Sequence, residues 1–236
     1  AFTDARIALG RTGVSEPLQP SLKFKLAHAH ARDAVYSELN ITELIHEIET
    51  QFALPVYLLQ SEVTNRQEYL QRPDLGRKLS TASKEQLNTL VVLPADVALI
   101  LGDGLSAEAI NKNALPLLQI LIPKLRSAGL SLSPITMVQQ ARVAVSDEIG
   151  FALKAKVALI LIGERPGLSS PDSMGAYLTY QPRPGLTDES RNCLSNIRPA
   201  GLSYPVAAEK LLYLLTESLQ LQLSGIRLKD KANLLT

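Results

Sequence analysis

The residues best suited to bind a ligand lie in one polar segment, Gly163 to Ser173, which combines Glu164, Arg165, two glycines, two prolines and three serines. The carboxylate can accept hydrogen bonds from amides or hydroxyls, and glycine lets backbone N–H groups approach a ligand closely. The segment follows the apolar run 157–162, which is typical of a strand buried on both faces of a parallel sheet. Ligands of open α/β sheets bind outside the carboxyl ends of strands, so the sequence predicts a ligand site here.

A second turn has the same design. Gly102-Asp103-Gly104-Leu105-Ser106 follows the apolar run 97–101. The turn either contributes to a ligand site or serves the fold, with Asp103 capping the next helix. Neither turn carries the Gly-Lys-Ser/Thr ending of a P-loop, and no Gly-x-Gly-x-x-Gly occurs in the chain. A classical dinucleotide site is therefore disfavoured.

The other chemically interesting residues do not form a catalytic set. Cys193 is the single cysteine, and the three histidines lie far from it in the sequence, at positions 28, 30 and 46. His28 and His30 are two residues apart and point in different directions on a helix, which disfavours a metal site. The stretch Arg72 to Arg77 is either an anion site or a solvated turn with a local Arg–Asp pair. The residues alone indicate an α/β binding domain without its own catalytic residues.

Composition excludes several function classes. The 236 residues carry 24 Lys plus Arg against 23 Asp plus Glu, and there is no Trp. This near balance argues against nucleic-acid binding, which usually needs a basic surface. No apolar run reaches the roughly 18–20 residues that span a bilayer, so we expect no membrane association. A single cysteine excludes an internal disulfide and indicates a cytoplasmic location.

The hydrophobic pattern divides the chain into two sections: a helical N-terminal section, residues 1–89, and an α/β domain, residues 90–236. In the second section strands alternate with helices, which predicts a doubly wound (Rossmann-like), mostly parallel sheet. The predicted strands are 97–101, 130–138, 157–162 and 176–180, with residues 56–59 as a short strand or an irregular turn. The predicted helices are 21–36, 42–52, 80–90, 107–128, 146–154 and 204–224.

Several sequence blocks together resemble the small subunit of ethanolamine ammonia-lyase. They occur in the family's order and cover nearly the whole chain: Ala5-Arg6-Ile7-Ala8-Leu9-Gly10-Arg11-Thr12-Gly13, Arg72-Pro73-Asp74-Leu75-Gly76-Arg77, Asp103-Gly104-Leu105-Ser106, Arg142-Val143-x-Val145-x-Asp147-x-Ile149-Gly150, Gly163-Glu164-Arg165-Pro166-Gly167-Leu168 and Arg191-x-Cys193-x-Ser195-Asn196-Ile197. One such block is weak evidence, but six in register are specific.

The resemblance implies an adenosylcobalamin-dependent lyase that converts ethanolamine to acetaldehyde and ammonia by radical chemistry. It implies a large (β/α)₈-barrel partner subunit that binds ethanolamine and carries the catalytic residues, while the small subunit covers the other side of the cobalamin. A cytoplasmic complex is expected, and members of the family often reside in a bacterial microcompartment.

The resemblance also assigns three cofactor contacts. They are Val143 in the Arg-Val block, Glu164 in Gly-Glu-Arg-Pro-Gly, and Cys193 in the Arg-x-Cys block. Val143 suits the flat corrin or its methyl groups, Glu164 suits amide or ribose hydroxyl donors, and Cys193 is a small contact that need not bind cobalt.

Two other interpretations remain open. A stand-alone α/β enzyme acting on a small phosphorylated ligand would need a phosphate cradle or an acid–base pair, and neither is recognisable. A structural subunit without a ligand could use the leucines of the terminal helix to contact a partner, although such residues more often cover the sheet of their own domain.

Overall fold

The computed structural model describes residues 13, 15 and 17–229. The Ala5–Gly13 block lies outside the described residues except for Gly13. The α-helices are α1 (Leu18–Val35), α2 (Ile41–Phe52), α3 (Arg66–Gln71), α4 (Thr81–Thr89), α5 (Ala107–Ser127), α6 (Val145–Ala152) and α7 (Tyr204–Leu221). The strands are β1 (Val56–Gln60), β2 (Ala95–Gly102), β3 (Ile135–Gln139), β4 (Ala155–Gly163), β5 (Met174–Tyr180) and β6 (Arg191–Ile197).

The six strands form one sheet in the order β1-β3-β2-β4-β5-β6. The first four strands in this order pair in parallel, whereas β5 pairs antiparallel with both β4 and β6. The fold is therefore α/β, but the sheet is mixed rather than mostly parallel, and the doubly wound (Rossmann-like) prediction is not confirmed. The reason lies in the connections: neither 164–173 nor 181–190 contains an α-helix, and a parallel return usually needs a helical crossover of about a dozen or more residues.

Strand β1 lies within the predicted N-terminal section yet pairs with β3, with Val56 opposite Ile135. The sheet thus takes one strand, β1, from before the 89/90 boundary and five strands from after it. The division at that boundary remains a prediction.

The central strands β2 and β4 are buried on both faces, as the apolar runs predict. Val97, Leu99 and Leu101 join a core with α2, α5 and α7, while Ala98 and Ile100 face a second core with α4 and α6. The same alternation runs along β4. Along β2 and β4, burial of both faces leaves only the strand ends and the following loops to carry polar chemistry.

Candidate functional site

A crevice of about 640 Å³ opens at the carboxyl ends of β2 and β4, where the sequence predicts the ligand site. The glycine turn after β2 and the polar segment after β4 both line this crevice. The lining residues are Tyr69, Gly104, Leu105, Arg142, Val143, Ile162, Gly163, Glu164, Arg165, Ser169, Ser170, Ser173, Tyr177, Ser195, Asn196 and Arg198.

The two glycine turns pack directly against each other. The backbone N–H of Leu105 donates to the Gly163 carbonyl at 2.9 Å. A Cβ at Gly163 would overlap the carbonyl oxygens of Ser106 and Asp103, and one at Gly104 would overlap the Gly163 carbonyl. These glycines are therefore required for close backbone approach, which fixes one wall of the crevice.

We expect Gly163→Ala to destabilise the protein by about 1–3 kcal/mol, because its new methyl group must displace backbone rather than a side chain. Urea unfolding followed by circular dichroism measures this loss. Gly167→Ala, in the same segment, is the matched control, since its Cβ would meet only the rotatable Ser170 hydroxyl at 2.7 Å. Equal losses in the two variants would contradict the backbone explanation.

Asp103 does not cap the next helix. Ser106 is the N-cap of α5, and its hydroxyl accepts from the Ala109 N–H. The Asp103 carboxylate instead accepts backbone N–H bonds from Gly104, Gln140 and Ala141 at 2.7–2.8 Å. Burial raises the pKa of Asp103, and the three N–H donors oppose this shift by stabilising the carboxylate. Asp103 thus holds the loop after β3 in place, and that loop carries Val143.

Glu164 directly follows β4 and is hydrogen-bonded to a residue directly before β5 and to residues near the end of β6. Its carboxylate accepts hydroxyl bonds from Ser173 at 2.5 Å and Ser195 at 2.6 Å, and the Asn196 backbone N–H at 3.0 Å. Its own N–H donates to the Ser173 carbonyl at 2.9 Å. A carboxylate has about four acceptor positions, so one remains for a ligand donor. Glu164 is therefore a fixed acceptor at the rim of the crevice.

Val143 directly precedes the first helical turns of α6 and lines the 640 Å³ crevice. It also lines an adjoining cavity of about 280 Å³, together with Arg142 and Tyr177. Ser146, the first residue of the predicted helix 146–154, lies inside α6 and donates its hydroxyl to the Val143 carbonyl at 2.8 Å.

Cys193 lines the smaller cavity, and Glu164 lines the larger one. Cys193 is exposed, not buried as a lone cysteine more often is, and it faces Tyr177 across the β5–β6 pair. Desolvation raises the pKa of the thiol, so the neutral form prevails at pH 7. Burial likewise raises the pKa of the Tyr177 hydroxyl. Val143, Glu164 and Cys193 therefore lie around two cavities that share three lining residues.

A buried ion pair joins the Arg-Val block to the Arg-x-Cys block. Two Arg191 nitrogens meet the two Asp147 carboxylate oxygens at 2.6 and 2.8 Å, and the side chains are only 2% and 3% exposed. Thr179 also accepts from this guanidinium, at 3.1 Å. The pair ties α6, next to Val143, to the strand that carries Cys193.

Sequence reasoning missed the aromatic residues of the site. Tyr69 is fully buried, and the Arg66 and Arg142 guanidinium carbons lie 4.5 and 4.2 Å from its ring centroid. Tyr177 lines both cavities, whereas the sequence predicts only that residues 176–180 form a strand. The available sequence signal for this part of the site was the neighbouring block Arg72 to Arg77. Its Gly76 packs so closely that a Cβ there would lie 2.8 Å from the Arg142 side chain.

The remaining candidates give simple outcomes. Arg72 and Asp74 form an exposed bidentate pair at 2.7–2.9 Å, as the solvated-turn interpretation expects. Among the described residues, no cluster of three or more His, Cys, Asp or Glu side chains is arranged to hold a metal ion. In the same part of the chain, no helix is both long and apolar enough to cross a membrane.

The fold is an α/β domain, and its candidate ligand site is the crevice at the carboxyl ends of β2 and β4. Residues 1–229 match the family model described as "Ethanolamine ammonia-lyase light chain (EutC)", and the chain belongs to this family. Similar proteins named "Ethanolamine ammonia-lyase small subunit" support the assignment. Those of Ralstonia nicotianae and Azotobacter vinelandii are 50% and 51% identical over 234 residues, which is 98% of this chain and 86% of each relative. That of Pseudomonas aeruginosa is 51% identical over 98% of this chain and 85% of its own.

Proposed function

We propose that the chain is the small subunit of an adenosylcobalamin-dependent ethanolamine ammonia-lyase and covers one side of the cobalamin where it meets a larger subunit. The observation that carries the proposal is the pair of adjoining cavities around Val143, Glu164 and Cys193. Family membership supplies the reaction class, and the cavities supply the place for a ligand.

The residues present fit such a ligand. Cobalamin offers amide and hydroxyl donors, a hydrophobic ring edge and one phosphodiester. The cavities offer a fixed carboxylate at Glu164, an apolar contact at Val143 and the Arg142 guanidinium, whose buried Nε has no hydrogen-bond partner among the described residues. The larger cavity, about 640 Å³, suits part of a large cofactor and is open on one side for a second subunit.

In this proposal the chain orients and shields rather than reacts. When bound, adenosylcobalamin supplies the organic radical chemistry. Glu164 accepts a hydrogen bond from a cofactor amide or hydroxyl, Val143 packs against the corrin edge, and the neutral Cys193 thiol fills space without binding cobalt. Substrate binding and catalysis belong to the large (β/α)₈-barrel subunit. Location in the cytoplasm, and within a bacterial microcompartment, is part of the same proposal.

An exposed face on α1 supports a partner. Leu18, Leu22 and Leu26, spaced four residues apart on one side of the helix, are 73%, 53% and 57% exposed, whereas Ala27 and Ala34 are buried against the domain. Contiguous exposed apolar residues commonly mark protein–protein contacts.

Turnover of ethanolamine tests the proposal. We expect no acetaldehyde from the pure chain with adenosylcobalamin, and turnover when a matching large subunit is added, because the described residues of the chain show no acid–base or nucleophilic set. Acetaldehyde is measured by coupled reduction with alcohol dehydrogenase. Turnover by the pure chain, or a large subunit fully active without it, would contradict the proposal.

A further inference from the structure

Arg142 is a fixed cation without an anionic partner. Its guanidinium stacks on the buried Tyr69 ring at 4.2 Å and donates to the Tyr69 carbonyl at 3.2 Å. Its Nε is buried and has no hydrogen-bond partner in the part of the chain that the structure describes. Among the described residues, no carboxylate lies within 4.0 Å of it. A held, partly desolvated cation that lacks a counter-charge is costly unless a ligand supplies one.

Two other arginines in the region, Arg66 and Arg72, each have a carboxylate partner. Arg66, whose guanidinium carbon lies 4.5 Å from the Tyr69 ring centroid, is 4.0 Å from the Asp103 carboxylate and donates to the Gly104 carbonyl at 2.8 Å, although its Nη2 is also buried without a hydrogen-bond partner among the described residues. Arg72 pairs with Asp74 on the surface. Arg142 therefore differs from Arg66 and Arg72 in having no carboxylate beside it.

The surroundings of Arg142 are also basic. Arg165 lines the larger cavity and Arg77 the smaller one, and both are exposed without an ion pair to any described residue. The Gly76 carbonyl accepts the Arg142 backbone N–H at 2.7 Å, which brings Arg77 beside it. The carboxylates that line the cavities are already engaged: Glu164 accepts three bonds, and Asp188 lies 3.5 Å from Arg191.

We propose that Arg142, with Arg77 and Arg165 beside it, forms a phosphate subsite that binds the phosphodiester of the cofactor. Guanidinium forks match phosphate oxygens, and a phosphate accepts bonds from several sides at once, as three arginines on separate segments require. This inference rests on the proposed function for the identity of the ester, whereas the anion site itself rests on the geometry of Arg142.

Two arms test the subsite. In the first, the ¹⁵N-labelled full chain is titrated with inorganic phosphate at constant ionic strength against chloride. The Arg142 Nε–H resonance, assigned by its loss in Arg142→Gln, is expected to shift. In the second, the complex with the large subunit is titrated with cobalamin and with cobinamide, which lacks the phosphodiester, the ribose and the base. Arg142→Gln is expected to weaken cobalamin binding by about 10- to 100-fold and to leave cobinamide binding unchanged.

Two further variants keep the test decisive. Arg77→Gln alters an exposed side chain, so it should fold normally and weaken cobalamin binding more mildly. Arg72 lies in the same block but pairs with Asp74, so Arg72→Gln should leave the affinity for both cobalamin and cobinamide unchanged.

The outcomes separate the inference from the proposed function. Equal loss of cobalamin and cobinamide, or no loss of either, would overturn the phosphodiester assignment. Loss of subunit assembly without loss of cobalamin affinity would assign Arg142 to a carboxylate of the partner. Failure of the wild-type complex to retain any cobalamin would defeat the proposed function. Even then, the phosphate titration tests the anion site separately. A shift of the Arg142 Nε–H resonance would support phosphate binding at Arg142, and an unchanged resonance would refute it.

Discussion

Arg191→Met is expected to lower the free energy of unfolding by about 3–5 kcal/mol, because it leaves the Asp147 carboxylate buried without its partner. The two side chains are 2% and 3% exposed and meet through two bonds of 2.6 and 2.8 Å. Methionine retains most of the apolar stem, so the loss reports mainly the missing charge. Urea unfolding followed by circular dichroism measures the change.

A matched control and a double variant test the cause. Arg183→Met removes a similar side chain from an exposed position and should change the free energy of unfolding by less than about 0.5 kcal/mol. Asp147→Leu combined with Arg191→Met should recover part of the stability, since no charge is then left unpaired. A loss below about 1 kcal/mol for Arg191→Met alone would mean that water or a neighbouring group compensates Asp147.

Glu164→Ala is expected to weaken cobalamin binding by the assembled complex by about 1–3 kcal/mol, the effect of removing an acceptor from a desolvated donor. It also releases the Ser173 and Ser195 hydroxyls and the Asn196 N–H from their shared acceptor. The binding change must therefore be read beside the free energy of unfolding of the same variant. Cobalamin titration followed by its visible absorption spectrum gives the affinity.

Two control variants separate binding from folding. Glu164→Gln keeps one acceptor oxygen, so it should lose less stability than Glu164→Ala. It should still weaken cofactor binding. Glu189→Ala removes an exposed acid that contacts only the Thr187 hydroxyl among described side chains, and should leave both quantities unchanged. An unchanged cobalamin dissociation constant in a well-folded Glu164→Ala protein would remove Glu164 from the contact set.

The sequence predicted those elements whose hydrophobic pattern is strong. The runs 97–101 and 157–162 are apolar at every position, and both form strands buried on two faces. The predicted helix 107–128 is confirmed as α5, which continues through Pro116 and Pro123, although Ser106 rather than Asp103 caps it. These features depend on local pattern, which one sequence records directly.

Sheet direction and long-range pairs depend on contacts that one sequence does not record. Strand β6 went unpredicted because it mixes polar and apolar residues at the sheet edge. The antiparallel course of β5 depends on the absence of a helix in segment 164–173. The links from Arg191 to Asp147 and from Glu164 to Ser195 join residues 44 and 31 positions apart. The sequence could therefore indicate the polar segment as a site without showing that its carboxylate also ties β6 in place.

Cobalamin retention tests the central claim most directly. The chain alone, and the chain mixed with a large subunit, are each incubated with cobalamin, separated by gel filtration and read by visible absorption. We predict that cobalamin co-elutes only with the mixture, because the crevice covers one side of the ligand and is open on the other. Absence of cobalamin from a folded, associated complex would contradict the claim and would favour a structural subunit that contacts no cofactor.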